Sequence, residues 1–208
     1  MSLLKRGYHH GNLREALIQA ALVLMAERGL AGFAIAELAR AVGVSPAAPY
    51  RHFRDRNAVV AEVARRGFEQ LAAELEAAQA AAGASPVAPL ERCAQAHLAF
   101  AKREPAVYSA MFDGGFPTKD HPEVLRSRET AFAVVRRAAQ AACDQGRGPR
   151  QPPALMVALH VWSLVHGIAG LFLSHSNEAQ GWLPMAPEEL LEAGLLVYLQ
   201  SLNLPADR

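Results

Sequence analysis

Tyr50, Arg51 and His52 stand together in the stretch PAAPYRHF, and all three carry groups that suit a phosphate. The guanidinium can also pair bidentately with the O6/N7 edge of guanine. Nucleic-acid recognition is the chemistry this cluster points to. Catalysis finds no comparable support, because there is no glycine-rich phosphate loop and no nucleophile elbow. No grouping of His, Cys and carboxylate residues has metal-ligand spacing: His160 and His166, six apart, do not share a helix face. The chain reads as a non-enzyme with no catalytic residues, no metal site and no cofactor, leaving room for a small-molecule effector.

Two short helices and a tight turn must position the cluster. Ile35, Leu38, Ala39 and Val42 recur at helical spacing. Gly43 follows where a helix end needs a residue at positive φ. Val44 plugs the turn, Ser45 suits an N-cap, and Pro46 suits the first helical position. The second helix would carry Ala47, Ala48, Tyr50, Arg51, His52 and Phe53, giving a helix-turn-helix over about residues 34–53. Pro49 falls inside that second helix, where it removes one intrahelical bond and strains the first turn. Upstream, Asn12 and Glu15 form a capping-box-like start for a helix with Leu13, Leu17, Ala20, Leu24 and Met25 on one face, ended by Gly29. Downstream, Asp55 can cap a further helix in which Val59, Val60, Val63 and Phe68 lead into the alanine-rich residues 71–82.

Charge separates the chain into two parts. Residues 1–66 hold ten Lys+Arg against five Asp+Glu, whereas the rest holds eleven against fifteen. A basic N-terminal third on a slightly acidic body suits a nucleic-acid module joined to something else. Lys5 and Arg6 in the N-terminal arm are equally suited to solvent or a minor groove, and in a groove their contribution would fall with salt. The composition, rich in Ala and Leu, predicts an all-α fold. In the body, helices are expected over about 88–103, from Pro105 through Phe112, and over about 122–144, 153–175 and 187–202. Breaks fall at GASPVAP (83–89) and QGRGPRQPP (145–153). Leu90, Cys93, Ala94, His97, Leu98 and Ala101 would point inward.

The last two helices are apolar round most of their circumference and must be covered on several sides, as a second copy would do. The run 154–173 is interrupted by His160, His166 and two glycines, so it reads as a buried helix and not as a membrane span. Cys93 and Cys143 lie outside any redox spacing and are expected as buried thiols in a reducing compartment. No signal peptide is apparent, so the cytoplasm is the expected location. Tyr108, Met111, Phe112, Phe116 and Phe132 could line an apolar pocket or be ordinary core. Trp162 has the same two readings, and His166, on so apolar a helix, needs a hydrogen-bonding partner or a ligand.

GYHHGNLREALIQAALVLMAERG and FAIAELARAVGVSPAAPYRHF resemble the DNA-binding domain of TetR-family transcriptional regulators, over roughly residues 7–70. WSLVHGIAG, with Trp162, His166 and Gly167, resembles the family's WHG-type C-terminal domain. The resemblance implies a helix-turn-helix DNA-binding domain at 7–70 and a helical effector-binding and dimerisation domain at 71–204. The implied function is sequence-specific binding of a double-stranded operator by a ligand-responsive repressor, homodimeric through the last two helices, with no membrane partner. The implied DNA-binding residues are Ser45, Pro46, Ala47, Ala48, Tyr50, Arg51, His52 and Arg56. Tyr50, His52 and Arg56 match positions that hold phosphates, and Arg51 lies on the major-groove face. Tyr108, Phe112, Phe132, Trp162 and His166 are the candidate ligand-binding residues. Ala34 and Ala36 depart from the family, which has Ser/Thr and a DNA-contacting residue there. The competing reading is a helical small-molecule-binding protein without operator recognition.

Overall fold

The computed structural model describes residues 13–81, 83, 85, 87–145, 152–173 and 184–201. Among them are eight α-helices, two short 3-10 turns and no strand. The expected cap at Asn12 and the arm residues Lys5 and Arg6 lie outside the described residues.

α1 (Leu13–Arg28) buries Leu17, Ile18, Ala21, Leu24 and Met25, a stripe at i, i+3, i+4 spacing. Gly29 ends it at φ 76°, its N–H bonded to the Met25 carbonyl at 2.9 Å. α2 (Ile35–Val42) buries Ile35, Leu38 and Ala39. At its start, Glu37 reaches back to accept from the Ala34 N–H at 2.9 Å; alanine has no oxygen to return the bond, so only half of a capping box forms. At its end Gly43 adopts φ 76°, ψ 33°. The Gly43 and Val44 amides bond to the Arg40 and Ala39 carbonyls, a Schellman closure.

The second helix of the motif is short and tightened at Pro49. Pro49 has no N–H to give the Ser45 carbonyl, and its ring would collide with that oxygen in an α-helix. The chain tightens instead: Ala48, Arg51 and His52 bond three residues back, to Ser45, Ala48 and Pro49. Residues Pro49–Arg51 form a 3-10 turn, as such i to i−3 bonding requires.

α3 (Arg56–Ala80) is capped as expected, with Asp55 Oδ1 accepting from the Ala58 N–H at 2.9 Å. It belongs to two cores. Val59, Val60 and Val63 pack with α1, α2, Phe33 and Phe53. Ala61, Ala64, Phe68, Leu71 and Leu75 pack into the body. The body is completed by α4 (Ala88–Arg103), α5 (Pro105–Asp113), α6 (Pro122–Asp144), α7 (Ala154–Leu173) and α8 (Pro187–Ser201). α4, α5, α6 and α8 each carry a proline in their first turn, where its missing N–H costs no bond. α5 is two-sided: Ala110 is buried in the N-terminal core, while Tyr108 and Met111 face the body. It crosses α3 at Gly67, where a Cβ would stand 2.6 Å from both Met111 Sδ and Val107 Cγ1. Cys93 is buried, and burial pushes its thiol up to about 11. Cys143 is only half-buried, because α6 ends one residue beyond it.

One buried carboxylate ties α1 to α3. Glu62 accepts from Arg14 Nη1 at 2.9 Å, from Arg65 Nε and Nη2 at 2.9 Å, and from Arg66 Nε at 2.8 Å. Arg66 also donates to Glu15 on α1 at 2.6 Å. Burial alone would raise the Glu62 pKa, but the three guanidinium hydrogen bonds together outweigh it and hold the carboxyl far below the ordinary range. Glu62→Gln keeps the shape and removes the charge. Because hydrogen bonds to charged groups contribute roughly 1.5–3 kcal/mol, we expect it to lower the unfolding free energy at pH 7 by about 2 kcal/mol in a urea titration. A folded-state pKa below the unfolded one gives stability that is complete above about pH 4.3 and is lost as the pH falls below it. The deficit of the variant should therefore shrink between about pH 4.3 and pH 3.

Candidate functional site

The exposed side of the helix-turn-helix is short and chemically simple. Ser45, Pro46, Ala47, Tyr50, Arg51 and His52 are exposed, Ala48 is half-buried and Pro49 is buried. Tyr50 is 59% exposed, far more than a core aromatic would be. Phe53, three residues on, is buried beneath the Arg14 guanidinium, 5.2 Å from its ring centre. The side chains of Tyr50, Arg51 and His52 have no hydrogen bond or ion pair with any described residue. A hydroxyl, a guanidinium and an imidazole are thus exposed on one 3-10 turn and its C-cap, which Pro49 anchors by its burial.

Arg56 is placed differently from the expectation that it holds a phosphate. Its guanidinium is turned back onto the domain, with Nη2 bonded to the Leu30 carbonyl and its carbon 4.9 Å from the Phe33 ring centre. Its Nε is buried without a partner. The physical reason is local: the loop after Gly29 leaves the Leu30 carbonyl free beside an aromatic face, and a guanidinium satisfies both. Arg54, the other nearby cation, pairs with Asp55 at 3.0 Å.

The body holds a second cluster, in which the structure brings all five candidate ligand-binding residues together. Tyr108 on α5 and His166 on α7 meet with the tyrosine oxygen 3.0 Å from His166 Nδ1. The same oxygen is 3.3 Å from His97 Nε2 on α4. Around this relay lie Phe112, 4.6 Å from the rings of both Tyr108 and His166, and Trp162, 4.5 Å from His97. Phe132 on α6 stands edge-on to Trp162 at 5.5 Å. Phe68 of α3 stands edge-on to Phe112 at 5.4 Å. Phe112, Phe132, Trp162 and His166 are only half-buried although each touches other rings of the cluster. These four rings pack against one another and are each partly exposed.

His97 is the member that sequence reasoning placed inward without assigning it a role. Burial, and secondarily the neighbouring His166, holds its imidazole down at about 3, so it is neutral. Burial, then Asp113, raises the Tyr108 hydroxyl above its ordinary value, so it stays protonated. A neutral histidine, a protonated phenol and a second imidazole form a relay that can reverse its direction by changing tautomers. The available signal was the cost of burying a histidine without a partner. Among the described residues no group of three or more His, Cys, Asp or Glu is arranged to hold a metal ion.

Comparison with known proteins places both halves. Residues 17–63 match the bacterial regulatory proteins of the tetR family, and residues 90–198 match the tetracyclin repressor-like C-terminal domain. No curated protein matches the chain. A solved structure of a protein with unknown function from Rhodococcus sp. RHA1 is 30% identical, with 96% of this chain and 100% of that one covered at a TM-score of 0.77. The TetR family transcriptional regulator PfmR from Thermus thermophilus is 22% identical, with 92% and 99% covered and a TM-score of 0.65. AibR, solved in complex with isovaleryl coenzyme A and operator DNA, is 16% identical, with 93% and 100% covered and a TM-score of 0.69. The last two likenesses are of fold. With its helix-turn-helix and its helical body each matched in order, the chain belongs to the TetR family of regulatory proteins.

Proposed function

We propose that this DNA-binding transcriptional regulator is a ligand-responsive, cytoplasmic repressor that works as a homodimer on a two-half-site operator. The observation that carries the proposal is the exposed, unpartnered edge formed by Tyr50, Arg51 and His52. Arg51 reads a guanine, and Ser45 to Ala48 allow close approach to the groove floor, where alanine can touch only a thymine methyl. Tyr50 and His52 hold phosphates and so fix register. With Arg56 committed to Leu30 and Phe33, the backbone grip rests on those two. A residue 7–70 DNA-binding unit and a 71–204 body, joined through α3, remain our division of the chain.

The dimer accounts for the apolar surface. Leu155, Met156, Leu159 and Leu171 on α7, with Leu196 and Val197 on α8, are exposed, Val197 to 71%. The stretch Ala154–Phe172 is apolar and long enough to cross a membrane, with 33% of it buried within one chain. A second copy laid along α7 and α8 covers that surface as a four-helix contact, and no membrane is needed.

Effector control follows from shared helices. Phe112 of the ring cluster touches Phe68 of α3, and α5 is packed into both cores. A ligand that prefers one arrangement of Phe112 shifts the α3 equilibrium, and with it the spacing of the two reading edges, by its difference in affinity for the two states. AibR, with its coenzyme A thioester and operator, supports a ligand site and a DNA site in one such fold.

Two experiments test this reading. In fluorescence anisotropy with DNA flanking the chain's own gene, Arg51→Ala should reduce preference over scrambled DNA by about tenfold, within the range for a bidentate base contact. Tyr50→Phe should weaken both DNAs equally. The same profile for both variants would contradict the division between reading and positioning, and no shift with any DNA would favour the small-molecule-binding alternative. The double variant Leu196→Glu/Val197→Glu should run as a monomer in light scattering and lose about a hundredfold in operator affinity as bivalency is lost. A dimer of unchanged stability would remove α8 from the interface.

A further inference from the structure

Arg14 is the odd member of the network around Glu62. It is the second residue of α1, at the end of the helix where the backbone dipole disfavours a cation. Nor does the carboxylate need it for balance. Arg65 and Arg66, three and four residues on along α3, already give Glu62 three N–H donors, from Arg65 Nε and Nη2 and from Arg66 Nε. Arg14 adds a fourth through Nη1 at 2.9 Å, from a side chain that is 42% exposed. Holding a long side chain in one geometry costs rotamer freedom. A redundant ion pair on a half-exposed residue is therefore a weak reason for this placement.

The second contact of Arg14 supplies a stronger one. Arg65 and Arg66 each give a further nitrogen to another carboxylate, Glu69 and Glu15. Arg14 instead sets its guanidinium over the Phe53 ring, 5.2 Å from the ring centre. Phe53 is buried, and its N–H bonds to the carbonyl of buried Pro49 at 3.0 Å. Pro49 and Phe53 thus bracket Tyr50, Arg51 and His52, tied to each other by that bond. Through Arg14, the C-terminal end of this bracket is joined to α1 and, by way of Glu62, to α3.

We propose that Arg14 is a positioning residue for base reading: by bridging Glu62 and the Phe53 ring it holds the turn of Tyr50, Arg51 and His52 at one angle to α1 and α3. It does this without contacting DNA. The assignment rests on the reading of that turn as the edge that meets DNA. Lysine would be a poor replacement, because a point charge on a flexible stem cannot present a planar fork to the carboxylate and stack on the ring at once.

The test uses the full chain in fluorescence anisotropy, measuring preference for DNA flanking its own gene over scrambled DNA across a salt series. Arg14→Lys and Arg14→Gln should each lower the preference about threefold, the ratio for a partly exposed cation–π contact. The salt slope should stay that of the unaltered protein. Phe53→Leu should lower the preference at least as much, and the double variant Arg14→Lys/Phe53→Leu should be no worse than Phe53→Leu alone. An unchanged preference in Arg14→Lys, or additive losses in the double variant, would overturn the assignment. So would equal weakening on both DNAs with a slope lowered by about one in Arg14→Gln, the mark of a direct phosphate contact. A loss of preference that tracks lost helicity in circular dichroism at the assay temperature would reduce Arg14 to a stabilising residue and also overturn it. Arg51→Ala separates the two levels of the argument. If it leaves the preference unchanged, the turn does not read bases and the positioning role falls with it. If it lowers the preference while Arg14→Lys does not, the positioning role alone is refuted.

Discussion

The arrangement depends on one constraint: α3 must bury side chains in two cores at once without a break in its helix. At about 1.5 Å per residue its 25 residues span roughly 37 Å, enough to reach from the reading edge into the body. Its first two turns offer Val59, Val60 and Val63 to the N-terminal core, and its middle offers Phe68, Leu71 and Leu75 to the body. Each large apolar side chain fully buried contributes about 2 kcal/mol, as much as the entire charge of Glu62. Packing therefore fixes how the two cores are joined, and the arginines around Glu62 add ion-paired contacts between α1 and α3. At Gly67 the missing side chain lets α5 approach closely, giving the body a second hold on the same helix.

The same constraint joins the ring cluster to α3. Phe68 is fully buried, and its neighbour Phe112 belongs to the half-buried ring cluster around His166. Under the proposed effector control, a change at Phe112 would reach α3 through one ring contact, with no intervening loop. The polar relay lies against the same ring. Since His97 and Tyr108 are neutral and bonded to one another through a single oxygen, they hold α4, α5 and α7 in register without any buried charge to desolvate.

Much of this was legible in the sequence, and the failures share a cause. Helix spans such as Ala88–Arg103 and Pro122–Asp144 could be read because apolar spacing, N-terminal prolines and glycine stops are local signals. Gly43 and Asp55 were legible for the same reason. Arg56 was not: its partner is the carbonyl of Leu30, 26 residues earlier, which is free only because of how the loop after α1 passes Phe33. His97 could be placed inward by its spacing, but the hydroxyl it bonds belongs to another helix, and His166 lies 58 residues beyond Tyr108. Local pattern gives the direction of a side chain, whereas its partner depends on tertiary packing. The ring cluster is likewise a property of helices packed together.

Pro49 shows what a single local rule becomes when tertiary packing takes it up. A proline at that place removes one intrahelical bond and strains the first turn of the motif's second helix. Here its ring is buried in the N-terminal domain, and the chain around it is a 3-10 turn instead of a longer α-helix. A 3-10 turn rises about 2 Å per residue with three residues per turn, so Tyr50, Arg51 and His52 fan out in three directions and cannot line one stripe. Only one of them can point straight into a groove at a time. On the proposed function, an edge of that shape makes few base contacts per half-site, which would leave the separation of half-sites and the deformability of the DNA between them to carry the remaining discrimination. In the proposed dimer the spacing of the two edges depends on α3, so specificity and regulation would draw on the same geometric variable.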